Sequence, residues 1–128
     1  MGIYSDEIKL NVETAVTNLQ VAKELLEQGQ MEAASGRAAE SALHTARALL
    51  LDEKIESSRH GDVITLIHER FVNERKLTKD QGANLSWLFA MRNAEEQPGS
   101  RRIASEEAHK AVQIADSFFE AAKVILEA

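Results

Sequence analysis

Alanine recurs at every fourth position through Ala34, Ala38, Ala42 and Ala46, and Leu49 prolongs the row. Side chains four apart stack on one face of an α-helix. This spacing therefore predicts a helix over about 31–52 with a buried face, opened by Met31, that carries little side-chain bulk. Small residues let a neighbouring helix come close. The sequence supplies such a neighbour directly upstream, where Ile8, Val12, Ala15, Val16, Leu19, Ala22 and Leu26 keep three-then-four spacing over about 5–28. Ser5 is the expected cap, Asp6 and Glu7 suit the positive end of the helix dipole, and Gly29 is a natural stop. So short a connection forces the two helices to lie antiparallel.

Downstream the same pattern continues. Residues 53–59 hold two serines and mixed charges and read as a loop, with Ser57 or Ser58 as the next cap. A third helix is expected over about 60–74, with Val63, Ile64, Ile67 and Phe71 facing inward. Thr78 and Gln81 have capping-box spacing. They open a fourth helix that buries Leu85, Leu88 and Phe89, turns Trp87 toward a flank and fades near Asn93. Gly82 lowers the stability of its first turns. Gln97, Pro98, Gly99 and Ser100 form the clearest break. The last helix, from Arg102 or Ser105 to Leu126, aligns Ala108, Ala111, Val112, Ala115, Phe118, Phe119, Ala122 and Ile125. No strand-like alternation occurs. The expected fold is all-α, an antiparallel up-and-down bundle of about five helices in one domain spanning 1–128.

Composition limits the chemistry. Hydrophobic residues make up 44% and charged residues 28% of the 128, which is globular and not disordered. The absence of cysteine removes disulfides, thiolate zinc sites and cysteine nucleophiles, and fits a reducing compartment. No stretch is apolar for long enough to span a bilayer, and residues 1–10 lack the apolar core of a signal peptide, so a cytoplasmic location is expected. A net charge of -6 opposes indiscriminate nucleic-acid binding but leaves room for a local basic site or a basic partner. Arg92, Arg101, Arg102 and Lys110 form one basic group along the chain, and Arg70, Arg75, Lys76 and Lys79 another. The four histidines lack zinc-site spacing, and the isolated glycines make no phosphate loop, so neither a metal nor a cofactor is expected. His60 is expected to cap or position its helix. His44, near the inner stripe, should be hydrogen-bonded and partly buried, whereas His68 and His109 should be solvated.

Three segments together carry a resemblance. They are Ala46-Arg47-Ala48-Leu49-Leu50, then Ser58-Arg59-His60-Gly61-Asp62-Val63-Ile64, and the run Met91-Arg92-Asn93-Ala94-Glu95-Glu96, followed by a long amphipathic helix with Phe118-Phe119. Their order and spacing over about 5–126 resemble the HEPN superfamily, in particular its small single-domain prokaryotic members. The resemblance implies a helical bundle that often pairs as a homodimer. Many members are metal-independent ribonucleases, including toxins encoded beside a minimal nucleotidyltransferase. Others are inactive and bind nucleotides, RNA or protein partners. Active members carry an arginine, a polar residue after it, and a histidine four to six intervening residues later. Arg92 and Asn93 match the first two, while Gln97, Pro98 and Gly99 stand where the histidine would fall. In some small members an acidic residue and a tyrosine occupy this region. Glu96 matches the acid, and Gln97 replaces the aromatic residue. The family's usual aromatic residues in helix two are replaced by Ser41, Ala42, Leu43 and His44.

Cleaving RNA without a metal requires a base for the 2′-hydroxyl, a cation for the phosphate and an acid for the leaving oxygen. Histidine titrates near neutrality and suits the proton transfers. Arginine offers phosphate two parallel hydrogen bonds. Arg92 can fill the second role, but Gln97 has no titratable proton for the first. An arginine near a helix end also has an ordinary use, bonding the last carbonyls or pairing with Glu95 or Glu96. Three readings follow. The first is a catalytically degenerate HEPN protein that binds nucleotide, RNA or a nucleotidyltransferase-type partner, with Arg92, Asn93, Arg101 and Arg102 as ligand contacts. The second is a ribonuclease toxin using Arg92, Asn93 and Glu96 with a substitute for the missing histidine. The third is a homodimeric scaffold without a small ligand.

Overall fold

The computed structural model describes residues 4–56, 60–95 and 103–127. They form α1 (Ser5–Glu27), α2 (Met31–Asp52), α3 (His60–Ile67), a π turn over His68–Val72, α4 (Lys79–Glu95) and α5 (Ser105–Glu127). The fold is an all-α bundle of five helices, and no strand occurs among the described residues. No helix among them is long and apolar enough to cross a membrane.

The helix ends follow local chemistry in most places. Gly29 sits at φ +78°, where glycine alone carries no Cβ penalty. Its N–H donates to the Leu26 carbonyl and the Gln30 N–H to that of Leu25, closing α1. Thr78 and Gln81 make both bonds of a capping box: the Thr78 N–H donates to Gln81 Oε1 (2.8 Å) and the Gln81 N–H to Thr78 Oγ1 (3.0 Å). Ser5 is not a cap. It is already the first helical residue behind Tyr4, and no side-chain hydrogen bond closes that end. Ser57, Ser58 and the break at 97–100 lie outside the described residues.

α2 is the central element and packs against α1, α3, α4 and α5. Ala34, Ala38, Ala42, Ala46 and Leu49 are fully enclosed, and α1 and α2 form the most extensive helix pairing of the bundle. The two helices are pinned by a bond that leaves the apolar pattern: Ser41 Oγ donates to the Ala15 carbonyl at 2.8 Å, in the buried interior. Phe71, Leu43, Leu49, Leu50, Ile67, Leu85 and Leu88 are the largest apolar side chains to be completely buried.

The third helix departs from expectation. After Ile67 it widens into a π turn, where the Asn73 N–H donates to His68 O, and the chain leaves through Arg75 at φ 63°. A π turn inserts one residue into the helical register. Phe71 reaches the core, while His68 and Val72 come against Gly82 of α4. His68 is therefore half-buried rather than solvated, with Nε2 2.9 Å from Ser86 Oγ. Phe89 and Trp87 are both partly buried against the core, and Lys110 sits over the indole ring, 4.1 Å from its centroid.

Candidate functional site

Between Arg37 and Leu50, every residue of α2 is buried except Arg37, Glu40, His44 and Arg47. Their three-four-three spacing places them in one narrow stripe along the helix. The stripe is a polar seam in an otherwise apolar element, and each member meets a different part of the bundle.

Arg37 Nη1 donates to Asn18 Oδ1 of α1 at 3.1 Å. Glu40 pairs through Oε1 with Arg92 Nη2 of α4, with side-chain exposures of 32% and 18%, so the pair is only partly screened by water. The other carboxylate oxygen of Glu40 stands 3.9 Å from His44 Nε2. His44 Nδ1 donates to Asn11 Oδ1 of α1 at 2.8 Å, which orients the ring with Nε2 toward Glu40. Asn11 is itself fixed, because its amide donates to the Glu7 carbonyl at 2.9 Å. A continuous path of polar contacts thus runs Arg92–Glu40–His44–Asn11 across α4, α2 and α1.

Arg47 ends the stripe at a cavity of about 540 Å³ between the start of α1 and the end of α2. Glu7 and Asn11 line it from α1, Leu50 and Leu51 from α2, and Ile55 and Glu56 from the segment beyond. The Arg47 Nε is buried and has no hydrogen-bond partner among the described residues. The Tyr4 hydroxyl has its pKa raised, by burial first and then by the Glu56 and Glu7 carboxylates.

Arg92 is the one predicted site residue whose side chain is described. It reaches across to α2, a partner that neither the helix-end reading nor the motif reading had named. Asn93 follows it on α4, with its side chain outside the described residues, as are Glu96, Arg101 and Arg102 altogether. Lys110 is turned to Trp87, and Lys76 is held by Glu53 at 3.3 Å and lies over Phe71, whereas Arg70, Arg75 and Lys79 are exposed. His44 is partly buried and hydrogen-bonded as expected, and His109 is exposed with its Nδ1 on the Ser105 carbonyl. Sequence reasoning missed Glu40, Asn11 and Arg47 as site residues, although the three-four-three run of polar residues in an alanine-rich helix was there to be read.

The fold and the seam define a small helical-bundle domain whose polar residues converge from three helices. A model of the HEPN domain matches residues 8–125, and the chain belongs to that family. A protein of Methanocaldococcus jannaschii named "putative toxin" is 32% identical over 87 residues, 68% of this chain. The match spans 65% of that relative's own length.

Proposed function

We propose that this HEPN protein binds a nucleotide or RNA through the Arg92 guanidinium, without the complete catalytic set of its active relatives. The supporting observation is the Glu40–Arg92 pair. The guanidinium is held half-buried at the seam by a carboxylate, an anion of the same hydrogen-bonding geometry as a phosphate. An incoming phosphate replaces Glu40 on the Arg92 guanidinium, and Glu40 turns toward His44, whose Nε2 stands 3.9 Å away and can carry positive charge. Asn93, Arg101 and Arg102 follow in sequence and serve as further ligand contacts. In this reading the chain acts as a homodimer with Arg92 and Asn93 lining the cleft, and a nucleotidyltransferase-type protein is the expected macromolecular partner. The absence of histidine at 97–99 argues for binding over turnover.

The relative named as a toxin favours a second reading, a metal-independent ribonuclease toxin. One experiment separates the two. Purified protein and its Arg92→Ala variant are incubated with a fluorescent single-stranded RNA, and both anisotropy and cleavage are followed. Binding that weakens in the variant, with intact RNA in every lane, is the expected result. Cleavage by the wild type that Arg92→Ala abolishes would establish the toxin reading instead.

A further inference from the structure

The cavity at Arg47 lies outside the Arg92 contact and has a lining of its own. Its apolar wall is formed by Leu50, Leu51 and Ile55. Its polar groups are one guanidinium, one carboxamide and two carboxylates, from Arg47, Asn11, Glu7 and Glu56. A volume near 540 Å³ falls in the range of small-ligand sites.

The charges narrow the choice of ligand. A phosphate would face two carboxylates against one guanidinium, and a cation would face the guanidinium. A purely apolar ligand would offer no acceptor to the guanidinium, whose Nε has no partner among the described residues. The lining calls for a flat, neutral ring with paired acceptors on one edge and paired donors on another. Guanine has that pattern: O6 and N7 accept side by side, the arrangement arginine reads bidentately. N1–H and the N2 amino group donate side by side, which suits a carboxylate. Adenine and cytosine have a single amino donor site, and neither offers the O6/N7 acceptor pair. One feature indicates a prepared site: the Arg47 Nε is buried without a hydrogen-bond partner among the described residues, on a side chain that lines the cavity.

We infer that this cavity is a guanine-recognising pocket, with Arg47 reading the O6/N7 edge, the Glu7 and Glu56 carboxylates taking the N1/N2 edge, and Leu50, Leu51 and Ile55 packing the ring. It rests on the nucleotide- or RNA-binding reading and supplies the base preference that the Arg92 contact, being a contact to phosphate, does not provide. The stripe joins the two places. Glu40 and Arg47 are two helical turns apart on one face of α2, about 10 Å, so one strand can meet both.

The test uses nucleosides, which carry no phosphate and so report on the cavity alone. Guanosine, inosine, adenosine and cytidine are titrated into the full chain, with amide shifts followed by NMR. Guanosine is expected to bind at least about tenfold more tightly than adenosine or cytidine, with shifts centred on Leu50, Leu51 and Ile55. Inosine lacks the N2 amino group and should fall between them. Arg47→Met, which keeps the bulk of the side chain, and the double variant Glu7→Gln/Glu56→Gln should each lose guanosine preference while retaining the helical circular dichroism spectrum. Equal shifts with all four nucleosides, or none with guanosine, would overturn the pocket. If guanosine fails while RNA still binds in an Arg92-dependent way, the pocket alone falls. If RNA binding shows no dependence on Arg92, the Proposed function falls and the guanosine result stands by itself.

Discussion

Glu40 of α2 and Arg92 of α4 hold one another at the polar seam, and Glu40 also faces His44 with its second oxygen. Glu40 is therefore a partner of Arg92 and, in the proposed reading, a charge that an incoming phosphate displaces. Replacing it by glutamine keeps the shape and removes the competing charge. Glu40→Gln should tighten RNA binding about three- to tenfold at low salt, with the gain shrinking as salt rises. Fluorescence anisotropy at two ionic strengths measures this. Unchanged or weaker binding would mean that Arg92 meets no phosphate.

Ser41 and Ser35 are both fully buried serines on α2, but their hydroxyls do different work. Ser35 Oγ donates to Met31 O within its own helix, whereas Ser41 Oγ donates to Ala15 O of α1. Alanine is a better helix former than serine, so Ser35→Ala should be close to neutral. Ser41→Ala removes an interhelical bond in the interior and should cost roughly 1 kcal/mol. Urea denaturation of the two variants tests the ordering, and equal midpoints would contradict it.

Much of the bundle was legible because it depends on spacing within one helix. The alanine row, the Gly29 stop and the Thr78/Gln81 box each need only a few neighbouring residues, and all three are present as read. The seam is different. Asn11–His44 and Glu40–Arg92 join separate helices, and their register is set by packing that no single helical period encodes. The π turn was hidden for a related reason. Val63, Ile67 and Phe71 fit an unbroken helix, and the contact of His68 and Val72 with Gly82 of α4 lies beyond what that spacing encodes. For the candidate site, the motif supplied Arg92, while the residues around it emerged from the fold.

Gly82 offers a test in which two effects have opposite signs. In an exposed helix, glycine to alanine gains about 1 kcal/mol from propensity. Here a Cβ at 82 would come within 2.8 Å of His68 Cε1 and of Val72 Cγ2. Crowding of this kind typically costs about 1–3 kcal/mol, and the π turn behind it limits relaxation. Gly82→Ala should therefore destabilise the protein, and Gly36→Ala, where a Cβ meets nothing within 4 Å, should stabilise it. Thermal unfolding of both variants decides the matter. A higher melting temperature for Gly82→Ala would show that α4 can back away from the turn.

Tyr4 is the only tyrosine in the chain, so ultraviolet difference absorbance near the tyrosinate band reports on it alone. Its pKa lies above the ordinary value of about 10. Burial is the first cause, followed by the Glu56 and Glu7 charges. All of these favour the neutral phenol. The folded state thus holds the Tyr4 proton more tightly than the unfolded chain does. Its contribution to stability is complete below the unfolded value and is lost as pH rises through the folded one. The tyrosinate transition of the native protein should come at higher pH than that of the urea-unfolded chain. Glu56→Gln removes a nearby negative charge and should shift the native transition downward without moving the unfolded one. Coincident native and unfolded transitions would mean that neither burial nor the Glu56 and Glu7 carboxylates act on the Tyr4 hydroxyl.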